Sequence, residues 1–278
     1  LSWRRAIRLF SLLVCGREWK GSARGTHELM RGVCLKNKIK NFLLAFAAGG
    51  WLALVPGDVD VPRMEPVPIA LSQSFVEEAK KKALASLLVH HDEKEIKDFF
   101  ERRGFKIIVE KSSYRLSLLD GDKVVAQYPI ARGPVEGDKK RMGDLKTPEG
   151  IFELENAVGE HKYGWSVWMP LKTVERAKKD FLDSYGDKAR KLLEEFEARK
   201  GKITSDEHVK AFNEWAPKSY RIWRGVGIHG GSKNLAGNGN RNWTAGCVAL
   251  ENEHALQLKR ALQASERGAK RTPVLFLP

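Results

Sequence analysis

Three short segments with largely alternating apolar and polar residues follow one another between residues 105 and 131. They are FKIIVE (105–110), YRLSLL (114–119) and KVVAQYPIA (123–131). Because side chains alternate between the two faces of a β-strand, this period of two predicts three strands. The DGD at 120–122 is typical of the tight turn of a β-hairpin. The domain that begins near residue 105 is therefore predicted to open with a β-hairpin.

Strand signals continue along the chain in five more segments, which are TPEGIFEL (147–154), GWSVWMPL (164–171), RIWRGVGIHGG (221–231), TAGCVALEN (244–252) and TPVLFLP (272–278). Two other stretches are helical in pattern. Residues 74–104 form an N-terminal helical segment that opens with a possible Ser74–Glu77 capping box. Residues 172–218 are helical and highly charged, which indicates an insertion with a solvated face or, alternatively, a lid or docking element. The expected fold is mainly β within this domain and α+β overall.

The first 56 residues differ from the rest in charge and hydropathy. They contain ten Lys/Arg and two Asp/Glu, so more than half of the formal net charge of +14 lies there. Lysines at 36, 38 and 40 precede the apolar FLLAFAAGGWLALV (42–55), a pattern typical of a signal peptide. We expect residues 1–56 to be an export leader, either cleaved or retained as a membrane anchor through residues 38–55. The protein is then expected in the periplasm or cell envelope, with a Pro-rich linker over 57–73.

Cys247 is the one cysteine outside that leader, since Cys15 and Cys34 both lie within it. Without the leader no intrachain disulfide can form, and a lone thiol is unusual in an exported protein. The body of the chain is only mildly cationic, which argues against nucleic-acid binding. Two interpretations of Cys247 stay open on these grounds alone: a buried small apolar residue, or a nucleophile.

His229 lies eighteen positions before Cys247, in the Gly-rich strand GVGIHGG. An imidazole can take the proton of a thiol and later deliver it to a leaving amine, and nearby backbone amides can stabilise an oxyanion. The spacing alone does not distinguish a catalytic pair from two unrelated residues. No CxxC or HxxxH spacing is present, so neither a metal site nor a cofactor is expected. His90 and His91 are expected to face solvent near a helix end.

Three motifs stand in order along the C-terminal part of the chain. They are the hairpin YRLSLLDGDKVVAQYPIARG, then Gly143-Asp144 with TPEGIF, and finally GIHGG followed by Thr244-Ala245-Gly246-Cys247. In this order and spacing they resemble the catalytic domain of the L,D-transpeptidases, the YkuD-type family. The resemblance covers about residues 105–278 apart from the insertion, and it implies the β-sandwich or barrel of that family.

The resemblance implies a peptidoglycan L,D-transpeptidase. Cys247 would attack the amide before the terminal D-alanine of a stem tetrapeptide, and a second stem's amine would resolve the acyl-enzyme into a 3→3 cross-link. His229 would act as base and then as acid, with its ring oriented by the carbonyl of Gly230. The amides of Gly246 and Cys247 are the expected oxyanion donors, and Thr244 is expected to place a hydroxyl near the thiolate.

The expected partners are peptidoglycan stem peptides, as donor and acceptor, and carbapenem-type β-lactams as covalent inhibitors. Trp243, Arg241 and Gly231 are the expected substrate contacts. The other tryptophans near the motifs, Trp165, Trp168 and Trp223, are expected mainly in the core. The chain departs from many members at Ala245 and Ala249, where they carry polar side chains, which puts substrate contacts rather than the chemistry in doubt.

Other activities remain open at this point. With water as acceptor, the same Cys–His pair would give an L,D-carboxypeptidase or a hydrolase of peptidoglycan peptides. A non-catalytic wall-binding module is the alternative from another class, although a binder has no need of a thiol in this position.

Overall fold

A computed structural model of the chain describes residues 69–155, 165–237, 239–264 and 271–278. The predicted leader over 1–56 and most of the predicted linker over 57–73 lie outside these residues. Within the described ranges, no helix combines the length and the apolar character that crossing a membrane requires.

Two helices, α1 (Ile69–Ser86) and α2 (Glu93–Glu101), precede the first strand. Helix α1 begins before Ser74, so it extends into the segment predicted as linker; its apolar residues Val76, Ala79 and Ala83 are buried at helical spacing. Helix α2 begins with a capping box, in which the Asp92 side chain accepts the N–H of Glu95 at 2.7 Å. Both helices thus pack by one apolar face against the sheet that follows.

The larger sheet has five strands in the order β3-β2-β1-β8-β4. Its members are β1 (Phe105–Glu110), β2 (Arg115–Asp120), β3 (Lys123–Pro129), β4 (Gly150–Glu153) and β8 (Pro273–Leu277). Strands β1 and β8 run parallel, and the other pairs run antiparallel. Because side chains alternate, Ile107 and Val109 of β1 face the main core while Ile108 packs against α1 and α2.

The smaller sheet has three strands in the order β5-β6-β7, which are β5 (Trp168–Pro170), β6 (Gly227–Ser232) and β7 (Val248–Glu251). Strand β6 lies in the middle, antiparallel to β5 and parallel to β7. The segment after β3 connects the two sheets, since Ala131 forms an isolated bridge with Ala249 of β7. Helix α5 (Asn252–Ala264) follows β7 directly, so Asn252 is its first residue.

The predicted insertion between β5 and β6 forms two helices, α3 (Val174–Lys200) and α4 (Asp206–Trp215). Gly186 interrupts α3 with a φ of 57°. The aromatic side chains of Phe181, Phe196 and Phe212 are buried in the same core as the strands. The insertion is therefore part of the packed body and not only a solvated face. Together the sheets and helices make an α+β fold, as predicted.

The turn after α1 corrects one expectation, because His90 and His91 do not face solvent. Their side chains are only 10% and 16% exposed. His90 Nε2 lies 2.9 Å from the Asp138 carboxylate, and the Ile151 N–H donates to His91 Nε2 at 2.9 Å. Burial lowers the pKa of both imidazoles. The two histidines thereby tie the N-terminal helices to β4 and to the loop before it.

Candidate active site

Cys247 lies immediately before β7 and is half-buried. Its thiol donates to the carbonyl oxygen of Gly225, with Sγ and O 3.6 Å apart. Burial raises the pKa of the Cys247 thiol to about 11, although the backbone N–H of Gly227 and the charge of Lys139 act to lower it. A thiol with this pKa keeps its proton at neutral pH, so nucleophilic attack requires a base.

His229 lies in β6 and is almost fully buried, with 1% of its surface exposed. It pairs in register with Ala249 of β7. Cys247 precedes Ala249 by two residues, and side chains two positions apart share a face of a strand. Cys247 itself lies one position outside β7, so the pairing brings it and His229 to neighbouring positions along two adjacent segments of the chain.

The imidazole of His229 is oriented by its own strand. Its Nδ1 lies 2.5 Å from the carbonyl oxygen of Gly230. A carbonyl oxygen can only accept, so Nδ1 carries the proton in this bond and Nε2 of the neutral ring is left as the basic nitrogen. Gly230 itself admits no side chain, because a Cβ there would collide with Asn252 Oδ1 and Ser166 Oγ.

Three tryptophans surround the His229 ring. The indole of Trp165 stacks on it, and the rings of Trp168 and Trp243 lie 5.9 Å and 5.8 Å away between centroids. Gly231 makes the stacking possible, since a Cβ at this residue would stand 2.6 Å from Trp165 Cδ1. The sequence placed Trp165 in the core; the structure places it against the candidate base.

The TAGC turn is held by the Thr244 hydroxyl. Thr244 Oγ1 accepts the Gly246 N–H at 3.2 Å and donates to the Cys247 carbonyl oxygen at 2.7 Å. The Gly246 amide, expected to face an oxyanion, therefore already has a partner within the turn. Gly246 has a φ of +133°, and a Cβ there would lie 2.6 Å from the Lys146 carbonyl oxygen. Glycine is thus required before the cysteine on both counts.

Lys139, which is buried, and Asp144, whose side chain is 17% exposed, form an ion pair next to this turn. Lys139 Nζ donates to Asp144 Oδ1 at 2.7 Å and to the carbonyl oxygen of Ala245 at 3.2 Å. The motif analysis included Asp144 but had no signal for Lys139, which reaches the turn from a distant part of the chain. The same region contains the buried Thr147, whose Oγ1 accepts the Gly133 N–H at 3.0 Å.

The remaining expected substrate contacts differ in their surroundings. The Arg241 guanidinium donates twice to the carbonyl oxygen of Leu235 and lies over the Tyr114 ring, so it braces a loop. Trp243 is 40% exposed, and its Nε1 donates to Ser232 Oγ at 3.1 Å. Trp243 is therefore partly open to solvent next to the His229 imidazole.

Among the residues that the structure describes, no group of three or more His, Cys, Asp or Glu side chains is placed to hold a metal ion. The expectation that no cofactor is needed stays a prediction.

Comparison with protein families gives one match. The YkuD model, described as the L,D-transpeptidase catalytic domain, matches residues 104–275. That range is more than half of the 278-residue chain and contains both His229 and Cys247. A search of curated proteins found no match.

Several solved structures also match. The helical cell shape determining protein Pgp2 from Campylobacter jejuni has 20% identity and a TM-score of 0.37, with 62% of this chain and 47% of that chain covered. An L,D-transpeptidase from Xylanimonas cellulosilytica has 14% identity and a TM-score of 0.35, with coverages of 77% and 95%. The catalytic domain of the E. faecium L,D-transpeptidase has 16% identity and a TM-score of 0.31, with coverages of 63% and 98%. The chain spans less than half of the length of Pgp2.

Proposed function

The chain belongs to the L,D-transpeptidase catalytic domain family, and on that premise we propose that it is a cysteine-dependent peptidoglycan L,D-transpeptidase. Its donor is a stem tetrapeptide, and its acceptor is the side-chain amine of the diamino acid in a second stem. The product is a 3→3 cross-link, and D-alanine is released. The observation that supports this most is that the parallel pairing of β6 with β7 brings Cys247 next to the strand of His229, whose Nδ1 donates to the carbonyl oxygen of Gly230.

Acylation begins with transfer of the thiol proton to Nε2 of His229 as Cys247 Sγ attacks the carbonyl carbon of the third stem residue. The raised pKa of the thiol, about 11, favours this concerted use of a base over a resting thiolate. The carbonyl oxygen becomes an oxyanion, and the proposal assigns its stabilisation to the backbone N–H of Cys247, the second of the two expected donors. Collapse breaks the amide bond, and the imidazolium gives its proton to the departing amine of D-alanine.

Deacylation runs the same steps with a new amine. The neutral amine of the acceptor stem attacks the thioester carbonyl with its nitrogen, and His229 takes the proton that this nitrogen loses. The C–S bond then breaks. The imidazolium returns its proton to the Cys247 sulfur, which restores the thiol. Water in place of the amine would give a carboxylate product, which is the carboxypeptidase outcome.

The test is to incubate the full chain with disaccharide-tetrapeptide and to identify the products by mass spectrometry. We expect release of D-alanine together with cross-linked dimers. Cys247→Ala is expected to abolish both products while keeping the wild-type melting transition. The matched control is Cys15→Ala with Cys34→Ala, which removes the other two thiols and should leave the yield unchanged.

Each result bears on the proposal. Tripeptide without dimers would replace the transpeptidase with a carboxypeptidase, and full activity of Cys247→Ala would remove the nucleophile assignment. No product at all from the folded wild type would favour a binding module. A carbapenem-type β-lactam is expected to add its mass to the Cys247 peptide, and an unchanged intact mass would contradict that part.

Export to the cell envelope is part of the same proposal and rests on the sequence of residues 1–56. Fractionation of cells that produce the full chain is expected to place it with the envelope. Recovery of the full chain in the cytoplasmic fraction would contradict this.

A further inference from the structure

Lys139 is a buried cation close to the candidate nucleophile. Only 3% of its surface is exposed. Burying an ammonium group is costly unless it is paired and hydrogen-bonded. Its Nζ has three acceptors: Asp144 Oδ1 at 2.7 Å, the Ala245 carbonyl oxygen at 3.2 Å and the Lys146 carbonyl oxygen at 3.4 Å. One of these acceptors belongs to the turn that carries Cys247.

Asp144 is fixed in place independently of Lys139. Its Oδ2 accepts the N–H groups of Lys140 at 2.8 Å and Arg141 at 2.9 Å, and its Oδ1 accepts the N–H of Lys146 at 3.1 Å. Burial acts to raise the pKa of this carboxyl group, but the hydrogen bonds from Lys139 and the backbone hold it below its ordinary value. Lys139 is therefore anchored to a rigid, ionised partner.

The Ala245–Gly246 peptide group is held at both of its ends. Its carbonyl oxygen accepts from Lys139, and its N–H donates to Thr244 Oγ1. A peptide group is planar, so it cannot rotate without breaking both bonds. The next peptide group contains the Cys247 N–H and is joined to this clamped group through the Cα of Gly246.

Lys139 also lies directly behind the nucleophile turn. A Cβ at Gly246 would stand 3.2 Å from Lys139 Nζ, so the ammonium packs against the residue that precedes Cys247. A fixed positive charge at this place stabilises a thiolate and any oxyanion that forms next to it. In accord with this, the charge of Lys139 lowers the pKa of the Cys247 thiol, against the larger opposite effect of burial.

We propose that Lys139 is a positioning residue for Cys247, which locks the Ala245–Gly246 peptide and supplies the positive charge behind the nucleophile. The inference rests on the proposed role of Cys247 but not on the peptide substrate. Lys139 touches no reacting atom and acts through the turn. Asp144 holds Lys139 in place but carries the opposite charge, so its own electrostatic effect on the Cys247 thiolate is opposite to that of Lys139.

The test measures the reactivity of Cys247 without peptidoglycan. The full chain is alkylated with iodoacetamide over a range of pH, and the rate is followed on the tryptic peptide that contains Cys247 by mass spectrometry. Lys139→Met is expected to raise the pH midpoint of alkylation and to slow the reaction at neutral pH about tenfold, which corresponds to about one pKa unit. Lys139→Arg, which keeps the charge, is expected to retain most of the wild-type rate.

Asp144→Asn separates charge from structure. It breaks the same ion pair but removes a negative charge, so the midpoint is expected to fall or stay unchanged. If the ion pair merely supported the fold, both variants would move the midpoint in the same direction, and that result would overturn the proposal. If Lys139→Met lacks the wild-type melting transition, Lys139→Gln is measured in its place. In either case, a raised pH midpoint of alkylation in Asp144→Asn overturns the proposal. If the wild-type chain showed no reaction with the stem tetrapeptide but the expected alkylation of Cys247, the proposed function alone would be contradicted.

Discussion

The indole of Trp165 lies flat against the imidazole of His229, with ring centroids 3.6 Å apart and planes 11° apart. The Nδ1 bond to Gly230 fixes one edge of the imidazole, and the stacked indole fixes its face. Gly231 leaves the space that this arrangement needs. The base is thus held by its own strand on one side and by the segment before β5 on the other.

Replacing Trp165 with leucine is expected to slow acylation of Cys247 about fivefold, since an aromatic pair contributes about 1 kcal/mol beyond its area. The rate of mass addition by a carbapenem measures this. Trp165→Phe keeps a ring on the imidazole and should lose less. Equal rates for leucine and wild type would show that the stacking does not position the base.

Thr244→Val is expected to lower both stability and acylation rate. The substitution leaves the buried Gly246 N–H without an acceptor, which costs about 1–3 kcal/mol. Urea unfolding measures the first effect and carbapenem acylation the second. Thr244→Ser keeps the hydroxyl and serves as the control; it should behave nearly as wild type. A valine variant as stable as the serine variant would contradict the role of the hydroxyl.

Gly246→Ala is expected to destabilise the protein more than an alanine substitution at another glycine with positive φ. Its Cβ would lie 2.6 Å from the Lys146 carbonyl oxygen, in addition to the strain of its φ. Gly121→Ala provides the comparison, because Gly121 has a φ of +56° with open space around it. We expect Gly121→Ala to lower the free energy of unfolding by about 1–2 kcal/mol. Gly246→Ala is expected to lower it further and also to abolish acylation of Cys247, with urea unfolding and carbapenem mass addition as the measurements.

Two ion pairs on α3 have the same spacing but very different burial. Asp180 is 1% exposed and contacts Arg176, Lys140 and the indole N–H of Trp223. The Lys179–Asp183 pair is more than half exposed. Asp180→Asn is expected to cost about 3 kcal/mol in urea unfolding, because it removes the buried charge that compensates Arg176, whose side chain is only 12% exposed. Asp183→Asn should cost at most about 1 kcal/mol. Similar losses would mean that burial does not decide the effect.

The strands and the family could be predicted because their signals are local. The period of two in β1 to β3 and the order of the motifs around His229 and Cys247 are visible in short windows of sequence. The start of the first helix differs, since α1 begins at Ile69 rather than near Ser74.

The supporting residues could not be predicted, because their contacts are long-range. Lys139 meets the Ala245 carbonyl oxygen across 106 positions of sequence. Arg241 was expected to contact substrate; its guanidinium donates to the Leu235 carbonyl oxygen nearby in sequence and also lies over the ring of Tyr114, which is far away in sequence. A structural arginine that stabilises a loop and a ligand-binding arginine cannot be distinguished in sequence, since both are a single arginine beside a motif.

The thiol of Cys247 is expected to make the stability of the protein fall as pH rises from 9 to 11. Its pKa in the folded protein is about 11, above the ordinary value of 9.0, because burial disfavours the thiolate. In this window the unfolded chain releases the proton while the folded protein retains it, so unfolding becomes more favourable with pH. The contribution of the thiol to the free energy of unfolding is complete below pH 9 and is lost as the pH rises to 11.

Since Cys247 is only half-buried, we expect this contribution to be about 1 kcal/mol rather than the full effect of the pKa shift. The difference between wild type and Cys247→Ala in urea unfolding isolates it from other groups, and parallel pH curves for the two proteins would contradict it.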